Sequence, residues 1–132
     1  FETKLRVRYA ETDQMGYVYY GNYAAYYEVA RVEMLRSLGT SYRAMEESGV
    51  MMPVTDLRVK YHKPILYDEE ITIRIHIREM PAVRIRFEYE LYDEQGDLAN
   101  SGETTLVFVD MKRNRPCKAP ADFLASLAPF FN

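Results

Sequence analysis

The chain has 132 residues, a formal net charge of −3 and a pI near 5.4. That is enough for a real core in one domain spanning 1–132, and the acidic balance argues against a general nucleic-acid footprint, which needs a concentrated basic face. No run of 18 or more apolar residues is present and the N-terminus lacks a charged-then-apolar pattern, so neither a membrane span nor a secretory signal is expected. A single cysteine, Cys117, permits no internal disulfide and fits a reducing compartment, with the cytoplasm as the expected location.

Residues 4–9 alternate, with Leu5, Val7 and Tyr9 on one side and Lys4, Arg6 and Arg8 on the other, which predicts a half-buried strand. The segment 11–22 has no sustained period, and Gly16 and Gly21 supply positive-φ freedom at two points, so it reads as a structured loop. Tyr23, Tyr26, Tyr27, Ala30, Met34 and Leu38 then recur at steps of three and four, predicting a helix with Glu28, Arg31, Glu33 and Arg36 mostly off its apolar stripe. Asn22 is its expected N-cap and Gly39 its C′ residue. Thr40 or Ser41 caps a short second helix through Glu47, stopped by Gly49.

Four strands follow. Leu57, Val59 and Tyr61 alternate with Arg58, Lys60 and His62 up to Pro64, and Ile71, Ile73, Ile75 and Ile77 alternate with Thr72, Arg74, His76 and Arg78. Ile85, Phe87, Tyr89 and Leu91 alternate with Arg84, Arg86, Glu88 and Glu90, and 93–96 makes a hairpin turn. The last strand covers 98–110, with Gly102 as the position for a bulge. Residues 112–120 read as an exposed connection and 121–127 as a short terminal helix. Consecutive strands with short links give an antiparallel sheet, and only the helix over 23–38 is large enough to cover its apolar face. The fold class is α+β.

The chemistry concentrates in 9–27, where two acids, two glycines and an Asn stand among seven tyrosines. Asp13 on a turn can act as a base or nucleophile toward a carbonyl, while backbone N–H groups at 20–22, beside a helix start, can stabilise the oxygen. The alternative for Asp13 is an Asx turn, for Glu11 a solvated acid, and for Asn22 a simple cap. Gly16 and Gly21 serve backbone geometry and close approach of substrate. Tyr17, Tyr19 and Tyr20 have the better claim to a pocket, whereas Tyr23, Tyr26 and Tyr27 read as core and interface. His62 and His76 have no metal-site spacing, no Ser sits in a Gly-x-Ser-x-Gly turn, and Cys117 reads as incidental, so no metal is expected.

The run Arg8-Tyr9-Ala10-Glu11-Thr12-Asp13-Gln14-Met15-Gly16, then Val18-Tyr19-Tyr20-Gly21-Asn22-Tyr23, Glu28-Val29-Ala30-Arg31 and Val59-Lys60-Tyr61-His62-Lys63-Pro64 with Asp68, resembles the hotdog-fold acyl-CoA thioesterases. Within these the match is to the 4-hydroxybenzoyl-CoA thioesterase group, particularly the bacterial Tol-Pal-associated branch. The resemblance implies a five-stranded antiparallel sheet wrapped around one long helix. It also implies a homodimer, often doubled to a homotetramer, with an acyl-CoA site at the subunit interface. By the same resemblance Asp13 is nucleophile or general base, and the backbone N–H at Tyr20 polarises the thioester carbonyl. Several members of the bacterial branch carry His where this chain has Tyr20, whereas aryl-CoA members carry Tyr. Gly16, Tyr17, Tyr19, Gly21 and Asn22 would then contact substrate, with Lys60, Lys63, Arg84 and Arg86 either reaching the phosphates of coenzyme A, which is substrate rather than cofactor, or forming a solvated strand face. The other class of reading is a non-enzymatic module that binds acyl-CoA or acyl-carrier protein. A dehydratase of this fold would want a His near the helix, and none is there.

Overall fold

The computed structural model describes residues 1–131. Its centre is α1 (Tyr23–Ser37), gripped by a five-stranded sheet formed by β1 (Glu2–Arg6), β3 (Val54–Tyr61), β4 (Glu70–His76), β5 (Arg84–Tyr92) and β6 (Leu98–Val107). The strand order is β1-β4-β5-β6-β3 and every pairing is antiparallel, so β1 and β3 are the edges. This is the expected α+β arrangement. Period-2 alternation explains it: Ile71, Ile73 and Ile75 of β4 and Ile85, Phe87, Tyr89 and Leu91 of β5 are all buried against α1, and their neighbours face outward.

From α1 the sheet receives Tyr23, Tyr26, Tyr27, Ala30, Met34 and Leu35. Gly39, at φ +83°, closes the helix: its N–H reaches Arg36 O at 3.0 Å while Thr40 N–H reaches Leu35 O at 3.0 Å, the paired bonds of a Schellman end. Ser41 Oγ then accepts Ala44 N–H at 3.0 Å and caps α2 (Tyr42–Glu47), as its position predicts.

Several local expectations are corrected. The first strand runs 2–6 rather than 4–9, because pairing with β4 ends at Arg6 opposite Glu70 and the chain then enters a 3₁₀ turn; Tyr9 is therefore 78% exposed instead of inward. Arg31 lies on the buried stripe, not off it, satisfied by two phenol oxygens. Asn22 makes no side-chain cap; its Nδ2 donates to Glu11 O at 2.9 Å, since a second 3₁₀ turn (Tyr20–Asn22) already leads into α1.

Gly102 marks no bulge, as the register shifts fall at 54–56 and 91–92. Its lack of a side chain makes room for Tyr27, whose Cε2 would lie 2.6 Å from an added Cβ. Gly21 likewise needs no positive φ; the Tyr19 ring packs where its Cβ would stand. The long last strand breaks at Phe108, and β7 (Val109–Asp110) leaves to join β2 (Val50–Met51) and β8 (Arg115–Pro116) in a separate small sheet. The connection over 112–120 thus carries β8 and ends at buried Ala119, before α3 (Ala121–Leu127).

Candidate active site

Between β1 and α1 the chain makes two tight turns that Glu11 ties together. Its carboxylate accepts the Arg8 N–H at 2.8 Å, the Arg8 guanidinium at 3.1 Å and the Tyr26 hydroxyl at 3.0 Å. Its carbonyl accepts Tyr19 N–H and Asn22 Nδ2, each at 2.9 Å. Burial works against the charged carboxylate, but these donors prevail and hold its pKa below the usual range. Glu11 is therefore a structural tie, rather than a solvated acid.

Asp13 follows two residues later in a turn closed by Gly16 N–H to Asp13 O at 3.0 Å, with Gly16 at φ +79°. Asp13 Oδ1 accepts Met15 N–H at 2.9 Å and Tyr17 N–H at 3.2 Å. This is the Asx turn that residue type predicted, and it leaves Oδ2 without a bonded partner among the described residues. One oxygen is held by two backbone N–H groups and the other keeps its acceptor capacity, so the turn does not use up the carboxylate.

Asp13, Tyr17 and Tyr20 line a cleft of about 350 Å³ together with Tyr23, Tyr61 and His62. Tyr20 opens the 3₁₀ turn before α1, and the amides of Tyr20 and Gly21 have no backbone acceptor among the described residues. Burial foremost, with the charges of Tyr61 and Asp13 adding, pushes the Tyr23 phenol up to about 12.

The sequence-derived set is divided by this geometry. Gly16, Tyr19, Gly21 and Asn22 shape the loop without lining the cleft: the Tyr19 ring packs on Tyr20 at 4.7 Å and over Gly21. Lys63 borders the cleft, but its ammonium lies 2.5 Å from Asp93 Oδ2 and 3.3 Å from Asp97 Oδ2 and is already neutralised. Lys60 and Arg84 line two grooves on the outer face of the sheet, neither of which includes Asp13. Conversely, Tyr61 and His62 reach the cleft although alternation marked them only as strand residues. Their signal was the Val59–Pro64 run, which carries β3 to its end beside the Asp13 loop. Among the described residues no group of three or more His, Cys, Asp or Glu is placed to hold a metal.

Residues 7–127 match the family described as the thioesterase-like superfamily. This chain belongs to that superfamily. Among relatives of this thioesterase-like chain, the Escherichia coli protein named acyl-CoA thioester hydrolase YbgC is 32% identical over 125 residues, spanning 95% of this chain and 93% of YbgC. The Bacillus subtilis protein YneP is 35% identical over 113 residues, 86% of this chain and 82% of its own. Of solved structures, a DHNA-CoA thioesterase from Staphylococcus aureus superposes with a TM-score of 0.91 at 36% identity, covering 98% of this chain and 89% of that one. The thioesterase-like chain has the hotdog fold that its motifs led one to expect.

Proposed function

We propose that this protein hydrolyses acyl-CoA thioesters to a carboxylic acid and free coenzyme A. The observation that carries the reading is Asp13, which has one carboxylate oxygen fixed by two backbone N–H groups and lines a cleft that Tyr20 also lines. Relatives named as acyl-CoA thioester hydrolase and DHNA-CoA thioesterase support the substrate class. Asp13 acts as nucleophile or general base, while the free amides of Tyr20 and Gly21 at the start of the turn stabilise the developing oxyanion. No metal or resident cofactor takes part in this scheme.

A homodimer is part of the proposal, with a tetramer built from two such dimers. Strand β3 is an open edge carrying exposed Val54, Leu57 and Tyr61, an arrangement that pairing with a second copy would cover. A partner there would also complete the open cleft at Tyr61. None of the helices is long and apolar enough to cross a membrane. A cytoplasmic location is proposed from the unpaired Cys117.

The test is release of free thiol from a panel of acyl-CoA substrates by the wild type and Asp13→Asn. The wild type turns over at least one substrate and the variant loses roughly 10²–10⁴-fold in kcat with an unchanged oligomer. Tight acyl-CoA binding without turnover in the wild type would instead identify a non-enzymatic binding module.

A further inference from the structure

Lys112, Arg113, Arg115 and Lys118 crowd one short stretch of a chain whose formal net charge is −3, and no acid stands between Asp110 and Asp122. The fold makes that stretch a tied hairpin. Strand β7 pairs with β8 through Val109 opposite Pro116 and Asp110 opposite Arg115, and Asn114, at φ +53°, completes the reversal between them. Asp110 fastens the tip from within: its carbonyl accepts Asn114 N–H at 2.7 Å, and its Oδ1 accepts Lys112 N–H at 2.9 Å and Arg113 N–H at 3.2 Å. Met111 N–H donates to Gly49 O at 2.9 Å, which ties the tip to the end of α2. The one acid of the hairpin thus holds backbone, not a cation.

All four cationic side chains are exposed, and none makes an ion pair among the described residues. Elsewhere Arg6, Arg8, Arg74 and Arg78 each face a carboxylate. On the outer face of the sheet Arg58 stands opposite Glu103, and Glu103 in turn opposite Glu88, so positive charge there is offset by neighbours. The strand beside β7 offers no such offset, since β2 contributes only Val50 and Met51. Met111, 46% exposed, adds an apolar side chain at the start of the same turn. Unpaired cations around an exposed apolar residue match a surface that is anionic outside and apolar beneath.

We infer that the β7–β8 hairpin is a peripheral docking element for an anionic lipid bilayer, with Lys112, Arg113, Arg115 and Lys118 among the headgroups and Met111 at the apolar boundary. Each Lys or Arg near an anionic leaflet strengthens partitioning roughly fivefold, and the attraction fades within a Debye length of about 8 Å at physiological salt. Contact is therefore reversible and salt-sensitive. The hairpin also stands away from the Asp13 cleft of its own protomer: Asn100 lies across from Tyr61 at the cleft, Leu106 lies across from Val54, and β7 continues beyond that end. At about 3.3 Å per residue the two ends are roughly 20 Å apart. Binding is read without turnover, so this docking stands apart from the thioesterase reading.

The experiment sediments the full chain with vesicles of phosphatidylcholine alone and of phosphatidylcholine and phosphatidylglycerol in a two-to-one mixture, at low and at high sodium chloride. At low salt the wild type partitions onto the anionic vesicles at least ~10-fold better than onto the neutral ones, and high salt removes the difference. Combining Lys112→Gln, Arg113→Gln and Arg115→Gln lowers partitioning about 100-fold, and Lys118→Gln alone lowers it about fivefold, which keeps the test open if the triple variant does not fold. Arg84→Gln with Arg86→Gln, cations outside the hairpin, leaves it within about twofold. Absence of wild-type binding, or equal binding to both vesicles, overturns the docking element while leaving the Asp13 reading untouched. An equal loss in the Arg84 and Arg86 variant overturns the assignment to the hairpin. Release by adenosine 3′,5′-bisphosphate at matched ionic strength overturns the lipid surface in favour of a compact phosphate ligand.

Discussion

The guanidinium of Arg31 donates to the hydroxyl of Tyr89 at 3.0 Å, from helix to sheet, and to that of Tyr42 at 2.9 Å. Arg31 is only 5% exposed and no carboxylate pairs with it among the described residues. A cation held by neutral phenols gains less than one held by an acid, while its long stem still fills core volume. Replacing charge and keeping bulk is therefore tolerated better than losing bulk. Arg31→Met should change unfolding free energy by less than about 1.5 kcal/mol, and Arg31→Ala should cost about 2–4 kcal/mol. Urea denaturation of the two variants checks the order; equal losses would mean that the charge itself is needed.

Gly102 gives a sharper packing test. An added methyl would meet Tyr27 at 2.6 Å and the Arg58 carbonyl at 2.7 Å, and the second is backbone that cannot swing aside. Gly102→Ala should destabilise by roughly 1–3 kcal/mol, while Gly102→Ala combined with Tyr27→Leu should lose less than the sum of the two. Thermal melts of the single and double variants supply the comparison. Strict additivity would show that the methyl clashes only with the strand.

The frame of the fold was legible because one signal dominates each element. Four isoleucines at period two announce β4, and steps of three and four from Tyr23 announce α1. What was hidden is what depends on a distant partner. Arg31 looks solvent-facing until Tyr42 and Tyr89 are brought to it, and Gly102 looks like a bulge until Tyr27 arrives from 75 residues earlier. In the site, local proximity was readable: Asp13, Tyr17 and Tyr20 share the cleft. Charge was misleading, since Lys63 is spoken for by Asp93 and Asp97, which lie far along the chain.

Acid should unfold this protein through a few identifiable carboxylates. Glu90 is held below its usual pKa by His76 and Tyr92, despite some burial. At Glu11 and Asp93 burial is the largest influence and raises the pKa, yet the hydrogen bonds and nearby cations outweigh it and the net shift is downward. A carboxyl group whose folded pKa is depressed adds stability above its unfolded pKa, about 3.9 for Asp and 4.3 for Glu, and that stability is lost as pH falls through the folded value. Stability should therefore be nearly flat from pH 7 to about 5 with respect to these groups and fall steeply below about 4. Asp93→Asn should flatten part of that fall. An unaltered acid limb in Asp93→Asn, followed by circular dichroism, would exclude Asp93 as a contributor.

Glu11 offers a way to separate positioning from chemistry. It does not line the cleft, yet it fixes both the 3₁₀ turn before Asp13 and, through its carbonyl, the turn at Tyr20–Asn22. Removing its carboxylate frees Arg8 and the Tyr26 hydroxyl, so Asp13 loses its fixed distance from the Tyr20 amide. A displacement near 1 Å is worth about 10²-fold in rate, so Glu11→Ala should lower kcat by roughly ten- to a hundredfold with a smaller change in KM. Glu11→Gln retains an oxygen acceptor for Arg8 N–H and Tyr26, and it should recover most of that loss. Because the effect passes through Asp13, adding Glu11→Ala to Asp13→Asn should cost almost nothing more. Steady-state kinetics on the double variant decide the point: a full multiplicative loss would mean that Glu11 acts on the reaction independently of Asp13.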